Sequence, residues 1–373
     1  MYTKSNGTRG NQKGRIVLIR KRSAIVTEII KNTMDVTEVM VTVESKSEKA
    51  VNYNALTGPI AIGDRVYINT SAVFLNLGTG GYHFVMHNAR RNTQDFKQQA
   101  GHILKLRYTP LQLKVMTVEE PASPYHTMIK DACSIAGLKV IIGSLHSMLY
   151  PLVYLLKQDT PTLKIAYIMT DSACLPMAFS HTVHMLISTK QLDATITCGQ
   201  AFGGQYETVN IYTALLTAKH ICHADVAIVI PGPGVVGTAT TLGFSNIEEG
   251  HIIDAVNTLH GVGINVARIS FADERERHQG ISHHTLTILS KITHTSAHIA
   301  IPLLESYKKD IVDNQLKTHA IYDKHHIAYM QENTLSAFEN NHVNVQTMGR
   351  SLTQDADFFR SLGAAAILCL NLL

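Results

Sequence analysis

Apolar and polar positions alternate with a short period in the first third of the chain. β-Branched runs such as RIVLI, SAIVTEII and EVMVTVES are separated by turn signals, including Thr57-Gly58-Pro59. Short strands joined by tight turns are typical of a small closed sheet. We therefore predict a β-rich, barrel-like domain over residues 14–118, with a disordered segment at 1–13 before it and a linker at 119–124 after it.

After the linker the pattern changes to short apolar runs that alternate with longer helical stretches. Nearly continuous apolar strands joined by helices imply a mostly parallel sheet with helices on both faces. This predicts an α/β domain over residues 125–373, with a last helix at about 355–370. The predicted strands are 139–145, 164–170, 194–199, 226–232, 265–271 and 298–303, with weaker ones at 326–330 and 343–348.

The run from Val226 to Gly243 carries the clearest functional signal, because an apolar strand leads directly into a glycine-rich turn. Gly232, Gly234 and Gly237 allow sharp turns that bring backbone N–H groups close to a ligand. A helix starting near Thr238 would direct its positive end to the same place. The run therefore predicts a phosphate-binding loop in a Rossmann-like α/β domain, although it matches only the spacing of G-x-G-x-x-G and lacks the acidic partner of a true dinucleotide fingerprint. It is not a Walker A sequence, because no Gly-Lys-Ser/Thr follows.

Polar residues also follow the other predicted strands, at the sheet edge where open α/β proteins bind ligands. Arg275 and Arg277 suit bidentate binding of a phosphate or carboxylate, although a solvated charged turn is an equal alternative. For Asp171, the structural alternative to a functional role is that of a loop cap. The remaining candidates for ligand binding are His146, Gln200, Gly203 and Gly204, and the candidates for catalysis are Asp171, His278 and His283.

The histidines at 278, 283 and 284 raise the question of a metal site. The loop lacks H-E-x-x-H, and adjacent His283 and His284 would diverge by about 100° on a helix. We therefore favour ligand hydrogen bonding or acid–base chemistry for His278 and His283 over structural capping, and we assign no metal ligand; metal binding by this loop stays open as the least favoured alternative. Ser282 is expected to cap the following helix.

Composition limits the class of protein. The chain has 373 residues, 45% of them hydrophobic and 17% charged, with a net charge of +4, which fits an ordered protein of two domains. Five cysteines without a C-x-x-C pair favour a reducing cytoplasm. The N-terminal segment has no apolar stretch typical of a signal peptide, and every long apolar run is interrupted, so we expect neither export nor a membrane span.

Six segments together resemble a known family: GTGGYHF (78–84), KLRYTPLQ (105–112), LHSMLYP (145–151), GQAFGG (199–204), GPGVVGT (232–238) and RHQGISHHTLT (277–287). The chain resembles an uncharacterised, mostly Gram-positive bacterial family catalogued as domain of unknown function 3866. The resemblance implies a cytoplasmic bacterial protein in which the β segment and the α/β segment belong to one architecture. It implies no cofactor and no catalytic residue.

Two functional hypotheses follow. In the first, the chain is a hydrolase or transferase that binds a phosphorylated small molecule or nucleotide at the carboxyl ends of the α/β strands. In the second, it is a non-catalytic module whose barrel contacts nucleic acid or a protein, while the α/β domain senses a ligand or forms a homo-oligomer. Basic residues at 13–22 and 90–107 are the weak support for nucleic acid. The sequence names no cofactor.

Overall fold

The computed structural model describes residues 17–78, 80–91, 95 and 100–373, with the side chain of residue 159 excepted. The chain divides into two units, Met1–Phe96 and Lys97–Leu373. The segment predicted to be disordered, 1–13, lies outside the described residues.

Five strands of the first unit close into a barrel, as predicted. The neighbour order is β1-β2-β3-β5-β4, and β4 pairs antiparallel with β1 to complete the circle. Alternate side chains point inward, so that Val39, Val41, Val66 and Ile68 are fully buried. The elements are β1 (Lys21–Asn32), β2 (Val36–Val43), β3 (Lys46–Tyr53), α1 (Asn54–Thr57), β4 (Arg65–Asn69), α2 (Ser71–Phe74) and β5 (Tyr82–Asn88).

The second unit begins with a hairpin that the sequence placed in the barrel domain. Its strands are β6 (Ile103–Lys105) and β7 (Leu113–Val115). Lys105 is buried, and its Nζ donates to the carbonyl of Ala201 at 2.5 Å and to Glu207 Oε2 at 2.6 Å. Because a buried ammonium needs such acceptors, the hairpin is held to the α/β fold.

An eight-stranded parallel sheet forms the centre of the second unit, as predicted. From β8 onward the strands are β8 (Lys139–Ile142), β9 (Ile165–Met169), β10 (Ala194–Thr197), β11 (Tyr206–Glu207), β12 (Val226–Val229), β13 (Val262–Val266), β14 (Ile269–Ser270), β15 (Gly280–Ile281), β16 (His298–Pro302), β17 (His326–Met330), β18 (Gln346–Thr347) and β19 (Arg350–Ser351). The order across the sheet is β11-β10-β9-β12-β8-β13-β16-β17, while β14-β15 and β18-β19 are separate antiparallel pairs.

Helices cover both faces of this sheet because each buried strand offers apolar side chains to both. In β8, Ile141 joins one core, and Val140 and Ile142 join the other. The first core includes α4, α5, α10 and α11, and the second includes α6, α7, α8 and α9. The helices are α3 (His126–Ile129), α4 (Leu149–Asp159), α5 (His181–Ser188), α6 (Ile211–His220), α7 (Glu248–Thr258), α8 (His283–Thr287), α9 (Ser306–Thr318), α10 (Thr334–Asn340) and α11 (Ala356–Leu372).

Two local predictions were wrong. No helix starts near Thr238: its N–H and its hydroxyl both donate to the carbonyl of Gly243, at 2.9 and 2.8 Å, which closes a loop, and α7 begins only at Glu248. The weaker strand predicted at 343–348 is reduced to β18, which pairs with β19 outside the main sheet. Within the described ranges, no helix is both long and apolar enough to cross a membrane.

The strand order creates a topological switch point around β8. The chain leaves β8 toward β9 on one side of the sheet, whereas it leaves β12 and β13 toward the other side. In open α/β sheets a crevice forms where the connections diverge in this way, beyond the carboxyl ends of the strands. The loops that follow β8, β12 and β13 meet at that crevice.

Candidate functional site

A small cavity of about 100 Å³ lies at the switch point. It is formed by the loops after β8, β12 and β13, with one residue from the β18–β19 turn. Its polar lining consists of Ser144, Asn246, Arg268, Arg275, Arg277, His278 and His284, and the rest of its lining of Leu145, Val235, Val236, Gly237, Ala239 and Met348. We call it the arginine cavity. Three guanidinium groups and no carboxylate line it among the described residues, so it favours an anion.

The three arginines differ in how they are held. Arg268 is 5% exposed and lies 3.5 Å from Asp273 Oδ2. Arg275 donates to Asp273 through Nε and Nη2, both at 2.8 Å. These guanidinium contacts hold the pKa of the Asp273 carboxyl well below its usual range. Arg277 is exposed and has no acceptor in the described part of the chain. Arg277 is therefore free to bind a ligand.

A fourth arginine completes a charged cluster beside the cavity. Arg350 donates through Nε to Asp355 Oδ2 at 2.8 Å and lies 3.7 Å from Asp273. Asp355 also accepts two contacts from the hydroxyl of Ser270, at 2.8 and 3.0 Å. Arg268, Arg275 and Arg350 contact two buried carboxylates, Asp273 and Asp355, whereas Arg277, the fourth guanidinium group, contacts neither. The cluster therefore carries a surplus of positive charge; Glu274 and Glu276 in the same loop are exposed and line no part of the cavity.

Three histidine rings pack against one another at the arginine cavity. The ring of His278 lies 5.0 Å from that of His283 and 5.2 Å from that of His284, and His284 stacks on Phe244 at 4.0 Å. Burial, with the nearby guanidinium charges adding to it, lowers the pKa of His278 to about 4 and that of His284 to about 3. The rings are therefore neutral at physiological pH and can donate or accept a hydrogen bond.

The histidine cluster is positioned by the start of α8. Ser282 caps that helix, as predicted, by accepting from the N–H of His284 at 3.4 Å, and it also lies 2.8 Å from His278 Nδ1. The buried Nε2 of His283 has no hydrogen-bond partner. Among the described residues, no three His, Cys, Asp or Glu side chains are arranged to hold a metal ion.

A network of buried polar side chains adjoins Ser144 and Asn246 of the cavity lining, and the sequence patterns did not predict it. Asn265 Nδ2 donates to Glu249 Oε2 at 3.0 Å, and Asn246 donates to the carbonyl of Ser144. Burial raises the pKa of Glu249 to about 8. Ser144 Oγ, Glu249 Oε1 and Asn265 Oδ1 are buried without a partner in the structure. Of these three residues only Ser144 lines the cavity, and a ligand or a water bound there would satisfy its hydroxyl.

The glycine loop contributes backbone rather than side chains. A Cβ on Gly232 would lie 2.6 Å from the carbonyl oxygen of Cys174, so Gly232 serves close packing within the protein. Gly234 has φ +94° and open space around it, a backbone conformation that favours glycine. Among the described residues, the N–H groups of Gly234, Val235 and Gly237 have no protein acceptor. These three amides can therefore serve a ligand.

A larger cavity of about 700 Å³ adjoins the arginine cavity. The two share Leu145, Val235 and Met348 in their linings. The rest of the larger cavity is lined by His146, Ser147, Tyr150, Pro151, Thr182, Pro233, Gly234, Asn344, Val345 and Gln346. We call it the neutral cavity, because none of these side chains is an acid, a lysine or an arginine.

His146 is fixed at the wall of the neutral cavity. Its Nε2 lies 2.6 Å from Ser180 Oγ and its Nδ1 lies 3.2 Å from the carbonyl of Pro231, so Nδ1 is the donor and Nε2 the acceptor from the serine hydroxyl. Burial lowers the pKa of His146 to about 4. Ser180 is buried and also caps α5, so this pair is structural rather than a nucleophile with its base.

The structure brings together some of the predicted site residues and separates others. Gly237, Arg275, Arg277 and His278 line the arginine cavity, His283 stands beside it, and His146 and Gly234 line the neutral cavity. Thr238 instead closes its own loop.

The loops after β9 and β10 reach neither cavity. Asp171 accepts from the N–H of Gln200 at 2.7 Å, which is the loop-cap alternative. The N–H of Gly203 donates to Glu207 at 2.7 Å and that of Gly204 to Thr197 at 3.2 Å. Because these three backbone N–H groups already donate to side-chain oxygens of the protein, none of them is free to donate to a ligand.

The family described as "Protein of unknown function (DUF3866)" matches residues 49–366. The chain belongs to this family. The resemblance inferred from the six motifs is thereby confirmed. No match is found among curated proteins. The DUF3866 match begins within β3 and includes every residue that lines the two cavities.

Two arginines of the basic N-terminal run of this DUF3866 protein make contacts within the barrel unit. Arg20 and Arg22, which belong to the basic N-terminal run, both pair with Glu44. Arg20 also lies over the ring of Phe74 at 4.6 Å. One carboxylate faces two guanidinium groups, so this pairing offsets only part of their positive charge.

Proposed function

We propose that the second unit binds a phosphorylated small molecule in the arginine cavity, and that the protein is a hydrolase or transferase acting on that molecule. The observation that carries the proposal is that Arg268, Arg275 and Arg277 line one cavity at the topological switch point of the sheet. Three guanidinium groups around about 100 Å³ suit a single tetrahedral dianion.

The arginines are held before any ligand arrives, which supports binding. Arg268 is buried and Arg275 is fixed by two contacts to Asp273, so neither loses much side-chain freedom on binding. Arg277 supplies a charge that no carboxylate in the described part of the chain neutralises. The free amides of Gly234, Val235 and Gly237 in the neighbouring loop add donors without charge.

The reaction class rests on electrostatics and on His278. Phosphoryl transfer needs mainly positioning and stabilisation of charge on the transferred group, which guanidinium groups provide. His278 lines the cavity, and a bound phosphate dianion would raise its pKa from about 4 toward neutrality, where an imidazole can accept a proton from an attacking hydroxyl. We propose His278 as that base. We also place the protein in the bacterial cytoplasm, which its five free cysteines support.

Calorimetric titration with inorganic phosphate tests the binding step. Arg277→Gln should weaken binding by about tenfold to a hundredfold, because one charge-assisted contact is lost. It should leave the fold unchanged, since Arg277 is exposed. The matched control is Arg107→Gln, which removes an exposed arginine that lines neither cavity. No binding by the unaltered protein at millimolar phosphate, or an equal loss in the two variants, would refute the proposal.

Turnover separates the enzyme from a ligand sensor. Phosphate release from a panel of phosphomonoesters should be measurable for the unaltered protein and should fall in His278→Gln by about a hundredfold or more, the usual contribution of a positioned base. Phosphate binding by His278→Gln should persist. Binding without turnover toward any phosphoryl donor or acceptor would favour the non-catalytic alternative.

A further inference from the structure

We propose that the ligand is a nucleoside monophosphate that spans the two adjoining cavities, with its phosphate in the arginine cavity and its uncharged nucleoside in the neutral cavity. This inference rests on the proposed function and specifies its substrate class. Leu145, Val235 and Met348 belong to both linings, so the two cavities adjoin, and the proposed ligand crosses between them at these residues.

The sizes of the two spaces require a ligand with a small head and a larger body. Cavities that hold whole small molecules measure about 300–1,000 Å³. The arginine cavity, at about 100 Å³, accommodates a single group, whereas the neutral cavity, at about 700 Å³, falls within that range. A free phosphate would leave the larger space unused.

The distribution of charge limits the head to one phosphate. Every arginine of the combined site lines the small cavity, and the described lining of the neutral cavity contains no charged side chain. A second or third phosphate would enter that neutral space without a partner, and burying an unpaired charge is costly. A monophosphate therefore fits better than a diphosphate, a triphosphate or a dinucleotide.

The lining of the neutral cavity suits a planar ring with polar edges. Tyr150 and Met348 offer aromatic and thioether surfaces for stacking. Asn344 and Gln346 carry amides that can both donate and accept, which is how proteins commonly contact the edges of bases. Gly234 also lines the neutral cavity and has open space where a side chain would stand, which leaves room for the ligand there.

An independent observation marks the polar end. Ser144 is 5% exposed, lines the arginine cavity, and its hydroxyl oxygen has no partner in the structure. A buried hydroxyl left without a partner is costly, so a ligand oxygen in the small cavity would satisfy it. This observation does not depend on the arginines.

Calorimetry with a defined series tests the inference on the full chain. The probes are inorganic phosphate, ribose 5-phosphate, the four nucleoside monophosphates AMP, GMP, CMP and UMP, adenosine, ADP and ATP. We expect at least one monophosphate to bind about tenfold or more tightly than both inorganic phosphate and ribose 5-phosphate, the gain expected from stacking one base. ADP and ATP should bind no more tightly than AMP.

A variant that fills only the neutral cavity gives the second readout. Gln346 is exposed on β18, where a tryptophan suits strand geometry, so Gln346→Trp should fold normally. It should abolish the advantage of the best monophosphate and leave inorganic phosphate binding unchanged. Gln346→Ala, which removes the amide without filling space, is the matched control and should lose less.

The outcomes distinguish this inference from the proposed function. If inorganic phosphate binds and no monophosphate improves on it, or if ADP and ATP bind more tightly than AMP, the inference is overturned while the proposed function stands. Unchanged monophosphate affinity in Gln346→Trp also overturns it. If neither phosphate nor any monophosphate binds, both fail.

Discussion

Replacing Glu249 by glutamine should stabilise the protein, and increasingly so as the pH rises. Glu249 lies in the first turn of α7 and is 1% exposed. Asn265 Nδ2 donates to its Oε2 at 3.0 Å, and Asn246 also favours the charged carboxylate, but burial outweighs both contacts. Burial raises the pKa of Glu249 to about 8, and the neighbouring Glu248 adds to the effect. Glutamine has the same shape and keeps the acceptor for Asn265 without ever becoming charged.

The magnitude follows from proton linkage. Because the folded pKa lies above the unfolded value of about 4.3, the folded state binds the proton more tightly, and stability falls as the pH rises between those two values. A pKa of about 8 gives a loss of about 1 kcal/mol at pH 5, between about 3 and 4 kcal/mol at pH 7, and about 5 kcal/mol above pH 9. The Glu249→Gln variant avoids this loss.

Urea unfolding followed by circular dichroism at pH 5, 7 and 9 measures the difference. The chain has no tryptophan, so helix content of the second unit is the convenient signal. The difference in free energy of unfolding between Glu249→Gln and the unaltered protein should grow with pH, while Glu276→Gln, an exposed control in the same unit, should show no such growth. A difference that is flat with pH, or a glutamine variant that is less stable at pH 9, would refute the reasoning.

Three further predictions concern charged groups of the second unit. Lys105→Met should cost about 3–5 kcal/mol in urea unfolding, because it leaves the Glu207 carboxylate without its cation; a cost below about 1 kcal/mol would contradict this. Asp273→Asn should lower stability at neutral pH, because Arg275 holds the pKa of Asp273 low. The difference in stability from the unaltered protein should shrink as the pH falls through the usual aspartate range. Thermal unfolding at several pH values measures this difference, and a constant difference would count against the prediction. Sulfate should bind more tightly at pH 5 than at pH 8. A bound dianion raises the pKa of His278 from about 4, so that binding takes up a proton. A calorimetric affinity that does not change with pH would exclude this coupling between sulfate binding and protonation of His278.

The sequence was sufficient to predict secondary structure where that structure is local and repetitive. Strands such as Val226–Val229 are apolar at every position because both faces of the sheet are covered, and that pattern is visible without coordinates. The glycine loop was correctly predicted to follow that strand. Its conformation was not predictable, because Thr238 could cap a helix or close a loop, and a contact with Gly243 decided between them.

The candidate site depends on contacts between residues far apart in the chain. No residue close to Arg268 in the sequence indicates that Arg350 pairs with both Asp273 and Asp355. Glu249 was detectable in principle, since helical spacing places it on one stripe with Ile252, Ile253 and Val256, all buried. A carboxylate in such a stripe is a signal for a buried functional or strained group.

The convergence of loops was only partly predictable. The polar loops after β9 and β10 also stand at strand ends, yet Asp171 and Glu207 use their oxygens to hold those loops together. The strand order decides which loops meet, and the order is set by pairing across the whole sheet rather than by any local segment.

A crystal structure of the protein grown with millimolar phosphate tests the central claim most directly. We predict tetrahedral density in the arginine cavity, within hydrogen-bond distance of Arg268, Arg275 and Arg277. An empty cavity at saturating phosphate, or Arg277 turned into it and paired with a protein carboxylate, would contradict the account.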